Sequence, residues 1–144
     1  MQASNRAIQN VEWYRAQVRL HPNNPGFHVH LGEAYLAAGK PQLAVYALLR
    51  ANRLAHGNAL TLTALGEARC ALRQYRSAVS ALSAALRFGS TSARTWAALG
   101  WAYSGRGDFK RAAAAYAAAT DIDPDQARLR PWLEKAIAPF AGNA

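Results

Sequence analysis

Few residues of this chain could do chemistry, and their spacing singles them out. Glu33 and Glu67 stand 34 residues apart and are the only acids between Trp13 and Gly107, a stretch that holds eleven basic residues. Carboxylates so isolated can select a basic or hydrogen-bond-donating partner, or each can pair with a local arginine such as Arg69. Nothing arranges them for catalysis. The eight acids form no acid–base pair by spacing, and no GxSxG, P-loop or Cys–His arrangement occurs. The sequence therefore favours a binding module over an enzyme. Asp121, Asp123 and Asp125 alternate like the start of a calcium loop, but no glycine or later glutamate completes it. They are read as ending one helix and capping the next.

Metal and cofactor chemistry find no better support. His21, His28, His30 and His56 lack any HExxH-type spacing, and His28 and His30, two apart, point in different directions on a helix. Cys70 is the only cysteine, which excludes an intramolecular disulfide and a cysteine-based metal cage. Nothing close to it in sequence would lower its pKa, so it reads as a space-filling residue. No cofactor is expected.

The 144 residues are 51% hydrophobic and 17% charged, which suits one globular domain that needs no metal or disulfide to fold. No secretory leader and no run of about 18 apolar residues is present, so no membrane span is expected. The lone cysteine fits a reducing compartment, and a cytoplasmic location is expected. A periplasmic one, or a place within a larger anchored protein, stays open. The net charge of +9 can attract nucleic acid, an anionic membrane or an acidic protein.

The elements that must position these residues repeat along the chain. Leu31-Gly32, Leu65-Gly66 and Leu99-Gly100 follow one another at 34-residue intervals, as do Ala44, Ala78 and Ala112, and Ala51, Ala85 and Ala119. Bulky residues keep the register: Tyr35 with Tyr103, Tyr75 with Phe109, and Leu48, Leu82 and Tyr116 in one slot. In the last unit Trp96, Leu99, Gly100 and Tyr103 form one helix face. Gly107 can then take a left-handed cap, Asp108 can cap a second helix, and Pro124 ends it. Each unit is thus two paired helices, with glycine and alanine where the backbones approach closely.

This pattern resembles the tetratricopeptide repeat (TPR) family, whose 34-residue units follow W-x2-L-G-x2-Y…A-x3-F…P. Residues 93 to 126 match nearly completely. Residues 25 to 58 depart at His28 and Pro41, the latter tolerable in a first helical turn. Residues 59 to 92 depart at Leu62, Arg69 and Arg73, which points to a looser turn. Residues 4 to 22 resemble the second helix of a further unit, and 127 to 140 a final solvating helix with a kink or late start at Pro131. The resemblance implies an all-α, right-handed α-solenoid of three helix–turn–helix units with flanking capping helices.

It also implies that the free faces of the first helices line a concave groove that binds a peptide or helix of another protein. Those faces carry Val29, His30, Glu33 and Leu36; Leu60, Thr63, Ala64, Glu67 and Cys70; and Arg94, Ala97, Ala98, Trp101 and Ser104, with Trp132 beyond them. The groove reads as apolar with acidic points, suited to a basic or apolar partner, and Trp101 is the residue type that anchors partners. Relatives that grip chaperone tails use lysine, asparagine and arginine along this groove; at Val29, Glu33, Ala64, Arg94 and Ala98 only Arg94 qualifies. Three alternatives remain: a bacterial secretion-type chaperone, self-association, and polyanion binding by the basic outer surface. Nucleic acid is disfavoured because no aromatic–basic platform appears.

Overall fold

A computed structural model describes residues 2–125. Seven α-helices follow in order: α1 (Gln2–Leu20), α2 (Pro25–Ala37), α3 (Pro41–Leu54), α4 (Ala59–Ala71), α5 (Tyr75–Arg87), α6 (Ala93–Gly105) and α7 (Phe109–Ile122). No strand occurs among the described residues. Helices α2/α3, α4/α5 and α6/α7 form antiparallel pairs stacked as an α-solenoid, and α1 packs on α2 as the second helix of each pair packs on the next unit. The final helix expected at 127–140, with Pro131, lies outside the described residues.

Local chemistry sets the helix ends. The first helix of each pair is capped by a short polar side chain: Asn24 accepts from Gly26 N at 2.9 Å, Asn58 from Thr61 N at 3.1 Å, and Ser92 from Arg94 N at 3.1 Å. Pro41 opens α3 in the first turn, where its missing N–H would have no helical partner anyway. Asp108 caps α7 by accepting from Arg111 N at 3.2 Å.

The turn inside each pair has one geometry. Gly39 N donates to Leu36 O and Lys40 N to Tyr35 O; Gly107 N and Asp108 N do the same to Ser104 O and Tyr103 O. In the second unit Arg73 N donates to Cys70 O at 2.9 Å and Gln74 N to Arg69 O at 2.8 Å. This is the motif that requires a left-handed residue after the helix, and Arg73 adopts it with φ 61° where the other units have glycine. The turn expected to be looser therefore closes with the same hydrogen bonds, because the backbone pattern outweighs the strain of a left-handed arginine.

The core explains the Leu-Gly spacing. Each glycine faces the large residue 16 positions later: a Cβ at Gly32 would stand 2.5 Å from Leu48 Cγ, and one at Gly100 would stand 2.7 Å from Tyr116 Cζ. Gly66 meets Leu82 in the same way. Leu48, Leu82 and Tyr116 are fully buried, each aliphatic one contributing about 1.5–3 kcal/mol over an exposed position. Ala44, Ala78 and Ala112 let the helices approach, and all three are fully buried.

Candidate functional site

Helices α2, α4 and α6 lie side by side and share one face, tied together by a single side chain. Arg94, in the first turn of α6, reaches back along the stack. Its Nη1 donates to Glu33 Oε1 at 2.9 Å on α2, its Nη2 to Glu67 Oε2 at 3.3 Å on α4, and its Nε to Glu67 Oε1. The Glu67 pairing is the two-pronged kind that a guanidinium makes best. Burial opposes the charge on Arg94, but the hydrogen bonds and charges of Glu67 and Glu33 outweigh it and hold the guanidinium above its ordinary pKa. His30 Nδ1 stands 3.8 Å from Glu33 Oε2, an ion pair when the imidazole is protonated, and its ring stacks on Tyr14 at 5.4 Å.

The two acids of the central basic stretch are therefore not open acidic points. Both are engaged by one arginine from the third unit, 27 and 61 residues downstream, and neither by Arg69. Two carboxylates against one guanidinium leave a single uncompensated negative charge on this face. Spacing within one unit does not reveal this pairing, because the partner belongs to another unit. One signal in the sequence does point to it: Arg94 occupies the slot that Leu60 fills one unit earlier.

The structure divides the other candidate residues. Val29, Thr63, Ala64, Cys70 and Ala98 are buried in contacts between helices, so the expectation that they face an open groove is corrected. The reason is that successive first helices pack directly on one another, which turns much of each supposed free face into a seam. Cys70 lies against Ala98, its Sγ 3.8 Å from the Ala98 carbonyl oxygen. Its thiol is pushed up to about 12, by burial first and then by the negative charge of Glu67. Thr63 belongs to a buried hydroxyl chain: its Oγ1 donates to Ala59 O at 2.9 Å and lies 2.8 Å from Thr95 Oγ1, which lies 2.7 Å from Ser90 Oγ. Sequence spacing gave no sign of this chain: Thr95 shares its slot with Thr61, but it meets Thr63 only when the two units are stacked.

What remains on the face is smaller. His30 is exposed and Leu60 is 46% exposed; Leu36, Ala97, Trp101 and Ser104 are half-buried. Trp101 packs against the cluster of Cys70, Ala98 and Leu99. Trp132 lies outside the described residues. No group of three metal-ligating side chains occurs among the described residues. No described helix is long and apolar enough to cross a membrane.

Two family models, both described as Tetratricopeptide repeat, match this chain over residues 4–59 and 93–126. The chain belongs to the tetratricopeptide repeat family. TPR solenoids generally serve as protein–protein interaction scaffolds, and membership supports that broad role for this chain.

Solved TPR structures share its fold. MamA 41-end from Desulfovibrio magneticus RS-1 superposes with a TM-score of 0.79 at 22% identity, over 96% of this chain and 81% of that one. The thermophilic TPR protein TTC0263 from Thermus thermophilus gives 0.75 at 24% identity, over 89% and 71% of the two chains. The first TPR domain of human RPAP3 gives 0.76 at 17% identity, over 84% and 95%. No curated protein matches the sequence. At these identities the structural neighbours speak for the fold alone.

Proposed function

We propose that the shared face of α2, α4 and α6 binds an extended or helical segment of a partner protein. The observation that carries this is the Arg94 bridge. It fixes the first helices of three successive units to one another, so the face is a preorganised surface, and preorganisation lowers the cost of binding. Beside it Leu60 offers exposed apolar area and Trp101 an aromatic edge, the kind of anchor that dominates interfaces.

The partner chemistry follows from the charge count. With Arg94 neutralising one of the two carboxylates, a single cation next to Glu33 is accommodated rather than a basic run, and an apolar side chain over Leu60 does most of the work. Leu60→Asp is the clean test. The position is exposed in the first turn of α4, where an acid suits the helix dipole, so the fold survives while the apolar contact is lost. Wild type, Leu60→Asp and Tyr46→Ser on the exposed side of α3 are used to capture proteins from the native host's lysate. A partner kept by wild type and Tyr46→Ser but lost by Leu60→Asp supports the groove. Equal retention by all three moves binding off this face.

A further inference from the structure

The second helices carry a feature that groove binding leaves unused. At the end of each stands a cation followed by a large apolar residue, in one register slot: Arg19-Leu20 on α1, Arg53-Leu54 on α3, and Arg87 on α5 with Phe88 just past it. All three arginines are exposed, and none has a carboxylate partner among the described residues. Leu20 is 70% exposed and Phe88 59%. Because each second helix packs on the next unit in the same way, one slot recurs along one edge of the solenoid. Phe88, just past α5, brings that end next to the turn after α3, since a Cβ on Gly57 would stand 2.9 Å from its ring.

A favourable helix dipole accounts for arginine at a helix C-terminus. It does not account for the large apolar side chains of Leu20 and Phe88 left in water beside two of them. Cations level with exposed apolar residues suit a surface that offers anionic groups above a hydrocarbon layer. A nucleic-acid backbone would use the arginines but not Leu20, and base stacking would need aromatic residues at more than one of the three places. The edge ends at α7, where Asp121-Ile122 fills the slot and Asp123 and Asp125 follow with negative charge.

From this edge we infer that the protein docks peripherally on anionic lipid membranes, through the ends of α1, α3 and α5. The inference is independent of the groove, which opens on the first helices. The arginines hold lipid phosphates and carboxylates; Leu20 and Phe88 enter the interfacial layer.

The test is flotation of the full chain with phosphatidylcholine vesicles with and without phosphatidylserine. Wild type is expected to float only with phosphatidylserine. The triple variant Arg19→Gln, Arg53→Gln, Arg87→Gln is expected to bind about a hundredfold more weakly, roughly fivefold per arginine lost. Leu20→Ser with Phe88→Ser is expected to lose flotation while keeping any affinity for duplex DNA, with far-UV dichroism and melting temperature confirming that both variants fold. Three results overturn the inference: no flotation of the wild type, flotation unchanged in the apolar pair, or displacement of the protein from vesicles by duplex DNA at equal charge.

Discussion

Arg94 of α6 grips both carboxylate oxygens of Glu67 on α4 and still reaches Glu33 on α2 with a third nitrogen. One side chain thereby links three repeats that the chain itself joins only through second helices. Removing it as Arg94→Met leaves two carboxylates facing each other without a cation. Since all three side chains are about a quarter to a third exposed, solvent screening holds the expected loss to about 1 kcal/mol. Denaturant unfolding checks it, and the difference from wild type should shrink in concentrated salt.

Thr95→Val keeps the shape of a fully buried residue but removes the hydroxyl that joins Thr63 to Ser90. Buried polar atoms that lose a partner cost about 1–3 kcal/mol. A fall of that size in unfolding free energy, without change in helicity, is the expected outcome. Because Thr63 still donates to Ala59 O, a neutral result would contradict a stabilising role for the Thr95 hydroxyl.

Gly100→Leu forces side-chain atoms into Tyr116, which already stands 2.7 Å from where the first added carbon would go. Tyr116 is fully buried and cannot withdraw. Overpacking of this kind costs about 1–3 kcal/mol, and the melting temperature should fall accordingly. An undiminished melting temperature would contradict the close packing of α6 on α7.

Arg73→Gly should stabilise the protein. Arg73 holds φ 61° and a side chain that is exposed, so nothing compensates its left-handed backbone. That conformation costs a non-glycine residue about 1–2 kcal/mol, part of which the flexible unfolded glycine takes back. A gain of about 1 kcal/mol in equilibrium unfolding is expected.

Cys70 should resist alkylation in the folded protein. Its thiol is raised from 9.0 to about 12 by burial and by Glu67. The fold therefore favours the neutral thiol. That contribution to stability is complete below about pH 9 and is lost as pH rises from 9.0 toward about 12. Iodoacetamide labelling followed by mass spectrometry should proceed only as the chain unfolds, and rapid labelling of the native protein would contradict the burial.

Helix pairing was legible in the sequence because close approach leaves a covalent trace. A glycine that must lie under Leu48, Leu82 or Tyr116 recurs every 34 residues, and so do the buried alanines Ala44, Ala78 and Ala112. Turn chemistry was legible at Gly107 and Asp108 for the same local reason. The open face was not. Whether Thr63, Ala64 and Cys70 meet solvent depends on how near one first helix lies to the next, a distance that no spacing within a repeat encodes. Pairing of Arg94 with Glu67 and Glu33 likewise arises only when residues 27 and 61 positions apart are stacked. Sequence alone determined the elements and their contacts within each unit, because those contacts are short-range and periodic. The tertiary structure decided which charges are spent and which surface remains, because both depend on stacking between units.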